Sequence, residues 1–181
     1  MFTEMKKIVF ISLFGMFSLF STKAQEAYAY WTLEQSLPDW AFEVFQKQAV
    51  SKSHLLSNYV NPFYFEADFN GDNSLDIALL IEEKSSQLKG ILIIHGETNQ
   101  YFIMGAGKTF DNRIDDFSWM DVWKLYRHKK AYELIISDEG EIEGDREFVL
   151  PYTGIEIIAL EASSGLIYWD GKQYLWAQMS D

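Results

Sequence analysis

Oxygen-bearing side chains fall at alternate positions through Asp68-Phe69-Asn70-Gly71-Asp72-Asn73-Ser74-Leu75-Asp76. Calcium is a hard cation that takes six to eight oxygen ligands at roughly 2.3 to 2.6 Å, and a tight loop supplies them from positions 1, 3, 5, 7 and 9. Here those positions are Asp68, Asn70, Asp72, Ser74 and Asp76, with Ser74 counted as a peptide carbonyl. Three carboxylates, one amide oxygen and one peptide oxygen suit calcium, with waters completing the shell, whereas zinc would draw His or Cys. Position 6 asks for left-handed backbone and carries Asn73, the residue that tolerates it best after glycine. An EF-hand would continue to a Glu at position 12 and be flanked by helices. Position 12 is Leu79, so Asp76 has to act directly as the ninth-position ligand. The runs Phe63 to Ala67 and Leu75 to Ile81 are apolar and β-rich, which places the loop between two strands.

The stretch DFNGDNSLDIALL resembles the D-x-[DN]-G-D-x-x-x-D-[ILV] calcium motif of FG-GAP and VCBS repeats, and is similar to dockerin-type loops. The resemblance implies a calcium ion held by Asp68, Asn70, Asp72 and Asp76 with the carbonyl of Ser74. It covers about thirteen residues in a single copy. Arrays of such repeats build β-propellers, so one copy implies the ion site and not that architecture. The chain is also similar to small exported bacterial proteins that carry one loop of this kind, a likeness that implies no activity.

Other candidate chemistry is thin. There are three histidines and no cysteine, and no Gly-x-Ser-x-Gly elbow or His-Glu-x-x-His is present. His95 ends an apolar strand, His54 sits in a helical stretch and His128 in a basic turn, which reads as structural or surface use. Gly105-Ala106-Gly107-Lys108-Thr109 mimics a phosphate-binding loop, but Phe102 stands where its first glycine belongs and no helix follows. It reads as a glycine-rich exit from a sheet. The carboxylates of Asp138 to Asp145 lack an alternating ligand register and read as a solvated loop. A carboxylate-pair hydrolase needs only two acidic side chains across a cleft, a placement that spacing does not reveal.

The elements that would hold the calcium loop read as α+β: an antiparallel β-meander sheet with an N-terminal amphipathic helix packed on it. Glu26 to Leu33 suggests an extended arm or short strand. Ser36-Leu37-Pro38-Asp39 reads as a capping box, followed by Leu37, Trp40, Ala41, Val44, Phe45 and Gln48 at helical spacing. His54 to Leu56 suggests a second short helix. Ile77 to Ile81 and Gly90 to His95 lack alternation, as strands covered on both faces do. Tyr101 to Met104, Tyr132 to Ser137 and Ile155 to Leu160 read as further strands, while Phe117 to Tyr126 fits helix or strand. The last hairpin pairs Gly165 to Trp169 with Gln173 to Ala177 around a two-residue turn at Asp170-Gly171.

Lys6 and Lys7, the apolar stretch Ile8 to Phe20 and the small residue Ala24 compose a secretory signal peptide over residues 1–24. Its apolar core of about 13 residues falls short of the roughly 20 that span a bilayer. The remainder, 25–181, is about 157 residues, the size of one domain. Loss of Glu4, Lys6, Lys7 and Lys23 moves the formal charge from -12 to -14, which argues against nucleic acid and anionic lipid as partners. Without cysteine the domain has no disulfide staples in an oxidising space. These features predict a monomeric, exported calcium-binding β-rich module, periplasmic or extracellular and free of the membrane after cleavage, whose partner is a protein or a glycan. The competing expectation is a small secreted hydrolase that uses a carboxylate pair or the metal, with glycans as substrates.

Overall fold

The computed structural model of the protein describes residue 28 and residues 30–111, 114–137 and 139–180. The signal peptide expected over 1–24 lies outside them. Packing divides the chain into Met1–Leu37 and Pro38–Asp181. In the first unit residues 30–35 are helical, which corrects the arm or strand expected there. Leu33, Glu34 and Gln35 are good helix formers, and the hydroxyls of Thr32 and Ser36 donate to the carbonyls four residues back, at 2.9 and 2.7 Å.

The second unit starts with helix α1, Asp39–Lys47, which buries Ala41, Val44 and Phe45. Its N-cap is Pro38 and no side chain bonds the first turn, so the capping box does not form; the ring's fixed φ starts the helix instead. A four-residue helix α2, Val50–Ser53, leads into strand β1, His54–Leu56. The second helix expected at His54 to Leu56 is thus a strand, because an adjoining edge of the sheet offers these three residues a ladder that local propensity cannot anticipate.

Strands β2 (Tyr64–Ala67), β3 (Asp76–Glu83), β4 (Lys89–Ile94) and β5 (Tyr101–Gly105) complete a five-stranded antiparallel sheet. β3 is its pivot: Asp76 to Leu79 pair with β2, Ile81 to Glu83 with β1, and its other edge runs along β4. A second antiparallel sheet joins β6 (Val122–Tyr126), β9 (Gly154–Ile158), β10 (Ser164–Trp169) and β11 (Tyr174–Ser180) in the order β11-β10-β9-β6. β7 (Lys130–Ile136) and β8 (Ile142–Val149) form a two-stranded hairpin. The expected antiparallel β-sheets are therefore present with few helices, but divided among three sheets where a single meander was expected.

The core explains the pairing. Ala78, Leu80, Ile91, Ile93 and Met104 from one sheet meet Trp123, Ile155, Ile157, Ile167, Trp169 and Trp176 from the other. The opposite-parity residues Ile77, Leu79, Ile81, Leu92 and Ile94 are also fully buried, which is why β3 and β4 show no alternation. The outer face of the second sheet, Leu166, Tyr168 and Ala177, packs on Ala131, Phe148 and Leu150 beside the β7-β8 hairpin. On the inner face of the same sheet Gly165 leaves room for an indole: a Cβ would stand 1.9 Å from the Trp176 ring.

The acidic stretch expected to be a loop to Asp145 is strand from Ile142 onward, with its carboxylates on exposed faces and Glu133, paired to Arg146, across the ladder. In the last hairpin Trp169 pairs with Tyr174 and the Asp170 N–H donates to the Gln173 carbonyl at 3.1 Å. The two central turn residues are therefore Gly171 and Lys172, one place later than expected. Asp170 shifts the turn because its Oδ1 accepts from the N–H groups of Lys172 and Gln173, at 2.7 and 2.8 Å. Phe117 to Tyr126, open between helix and strand in the sequence, resolves into a turn at residues 118–119 followed by strand β6.

Candidate metal centre

The loop from Asp68 to Leu75 joins β2 to β3 across the register pair Ala67 and Asp76. Phe69 plugs it into the core at 1% exposure, whereas Leu75 at 61% projects into solvent. Gly71 (φ 85°) and Asn73 (φ 66°) carry the left-handed backbone that turns the chain, and Asn73 fills the position expected of it. Gly71 admits no side chain, since a Cβ would meet the Tyr152 ring at 1.9 Å.

Asp68, Asn70, Asp72 and Ser74 lie on this turn and Asp76 opens β3, and the side-chain oxygens of Asp68, Asn70, Asp72 and Asp76 are engaged by nearby N–H groups. Asp68 accepts from the Gly71 N–H at 2.5 Å and from that of Asn73 at 3.0 Å. Asn70 Oδ1 accepts from the Asp72 N–H at 2.9 Å, and its Nδ2 donates to Asp72 Oδ2 at 2.9 Å. Asp72 Oδ1 takes the Ser74 N–H at 2.7 Å. Among the described residues, no group of three or more His, Cys, Asp or Glu side chains converges in the manner of a preformed metal site. The donor set nevertheless fits a hard divalent ion. A carboxylate has about four lone-pair sites, so these bonds leave oxygens with capacity to ligate.

Asp76 does more than sequence reasoning gave it. It is fully buried, with Oδ2 accepting from the Phe69 N–H at 2.8 Å and Oδ1 from the Gly96 N–H at 3.0 Å. One carboxylate thus pins the loop's second residue and ties it to the β4-β5 turn. Burial pushes its pKa up to about 6, the two N–H bonds oppose that rise, and the charges of Asp72 and Asp68 add to it. Asp72 moves the other way, held low chiefly by the Asn70 amide and the Ser74 N–H. None of the ion pairs among the described residues reaches Asp68, Asp72 or Asp76. A buried carboxylate of this kind normally has a cation partner.

Beneath the loop lies a part of the site that sequence reasoning missed. His95 is buried, and its Nε2 is 2.8 Å from the Tyr174 hydroxyl, inside a ring of Phe102, Trp169 and Tyr174. Burial lowers the His95 pKa while the Asp72 and Asp68 charges act against it. Burial and the three loop carboxylates raise that of Tyr174. The pair is 79 residues apart in sequence, so no local pattern signals it. His54 is buried with Nδ1 2.9 Å from Ser53 Oγ, and His128 is exposed in the β6-β7 turn. Gly105 and Gly107 (φ 70° and 80°) form the sheet exit expected of them.

A cleft of about 350 Å³ between β5 and β11 is lined by Tyr101, Phe102, Lys108, Phe110, Asp111 and Tyr174 among others, with Asp111 as the single carboxylate among the described residues that line it. A carboxylate pair of the glycosidase kind is not assembled there. Comparison of the chain with protein-family models, with curated proteins and with solved structures found no match. Among the described residues, no helix is long and apolar enough to cross a membrane.

Proposed function

We propose that the loop binds one calcium ion and that the protein is an exported, non-enzymatic binding or structural module whose partner is a protein or a glycan. The observation that carries this reading is the alternation of hard oxygen donors on a turn anchored by buried Phe69 and Asp76, with three carboxylates that no ion pair among the described residues reaches. Asp68, Asn70, Asp72, the Ser74 carbonyl and Asp76 would hold the ion, which would supply charge neutralisation and cross-bracing of β2 against β3. The helix α1 belongs on the outer face of the first sheet in this reading: Ile77, Leu79 and Ile81 are buried there, and Trp40 lies beside Gly96 on the β4-β5 turn. Monomeric, periplasmic or extracellular placement, with no nucleic-acid or membrane partner after cleavage, follows from the leader pattern and the acidic balance.

Thermal unfolding tests the calcium reading. At a calcium concentration of about 100 times the dissociation constant, the linkage gain is roughly 2.7 kcal/mol, so the midpoint should rise well above that in EDTA. Magnesium should do much worse, because it demands a smaller octahedral shell and keeps its waters. A calcium shift of equal size in Asp72→Ala would contradict the assignment. Export has its own measurement: the protein isolated from its native envelope should begin near Gln25, and an intact mass retaining Met1 would refute the leader.

A further inference from the structure

Asp68 also lines a cleft of about 190 Å³, walled by Arg127 and Lys129 from the β6-β7 turn and by Leu150, Tyr152 and Thr153 from the β8-β9 connection. The two connections are fastened by a bond from the Leu150 N–H to the Lys129 carbonyl at 2.9 Å, and Leu150 is buried. The cations therefore stand on framed backbone. The chain is strongly acidic, net -12, and Lys47, Lys89, Lys124, Lys130 and Arg146 each pair with a carboxylate. The side chains of Arg127 and Lys129 take no such partner among the described residues. Asp68, in the same cleft, accepts from the N–H groups of Gly71 and Asn73 and joins neither cation in an ion pair among the described residues. Tyr152 forms a wall of the cleft and also lies against Gly71 of the loop, so the two features share a contact.

We propose that this cleft binds the oxyanion group of a small acidic ligand, a carboxylate or a sulfate, between Arg127 and Lys129, and that it does so together with calcium in the adjoining loop. The inference rests on the calcium reading and gives the partner a chemical class. A cleft of this size has room for one oxyanion and the few atoms that carry it. Without an ion, the Asp68 and Asp72 carboxylates repel an incoming anion. Calcium bound among Asp68, Asp72 and Asp76 cancels two of their three negative charges and so relieves most of that repulsion, and Arg127 offers a planar fork suited to two oxygens. Linkage makes the effect reciprocal: the anion must tighten calcium binding by the factor by which calcium tightens the anion.

The test is calorimetric titration of calcium into the full mature protein at matched ionic strength in chloride, in sulfate and in galacturonate, so that general screening is held constant. At least one of the two oxyanions should tighten calcium binding by about fivefold or more relative to chloride. Comparing the sulfate and galacturonate arms identifies which oxyanion the cleft prefers. An Arg127→Gln/Lys129→Gln variant, altered at two exposed positions, should still bind calcium in chloride and lose that gain. Calcium binding that is identical in all three salts, or a gain that survives in the variant, overturns this proposal and leaves the calcium reading standing. Absence of calcium binding in chloride overturns both.

Discussion

Replacing Trp169 with alanine is expected to destabilise the protein by about 3 to 5 kcal/mol. The indole is 9% exposed and its ring centroid lies 5.1 Å from that of His95, 5.2 Å from Phe102 and 4.9 Å from Tyr174. Truncation opens a cavity bounded by rigid rings from both sheets, so the site cannot collapse to fill it. Urea unfolding should show a lower midpoint with an unchanged slope. Tyr168 and Leu166 share one face of β10 and Trp169 and Ile167 the other, as alternation requires, and both faces are covered. A midpoint equal to the parent's, with partner binding lost, would instead make Trp169 a surface platform for stacking on sugar rings.

Asp76→Ala is expected to cost about 2 to 6 kcal/mol even in EDTA, because an N–H removed from water and left without an acceptor costs about 1 to 3 kcal/mol and Asp76 serves two. Those donors are the N–H groups of Phe69 and Gly96. Asp72→Ala makes the contrast. Its carboxylate is exposed and bonds only within the turn, so its metal-free unfolding midpoint should stay at the parent's. Urea titrations of both variants in EDTA check this. Equal, small effects would mean that Asp76 does not brace the fold.

The legible parts of this chain are those in which a local pattern and its tertiary setting agree. The unbroken apolar runs of β3 and β4 announced strands covered on both faces, and 0% exposure from Asp76 to Ile81 shows why. The loop was legible because ligand spacing, Asn73 and the flanking strands all point to one turn. β8 was not: Ile142 to Glu147 are exposed on both faces, so the strand carries the composition of a solvated loop and is held by pairing with β7. The last turn misled by one residue because Asp170 uses its side chain where a backbone partner was expected. Within the site, the donors lie in nine consecutive residues and could be read. The supports come from Gly96, His95, Tyr152 and Tyr174, which only the fold brings to that end of the molecule.

Calcium stoichiometry tests the central claim most directly. Titration of the mature protein, freed of metal by chelation, should give one calcium per chain with a dissociation constant between about micromolar and millimolar. Asp68→Ala and Asp72→Ala should each weaken binding at least about tenfold. One ion bound by the parent and lost in both variants is the predicted result; no binding by the parent, or unchanged binding in both, would contradict it.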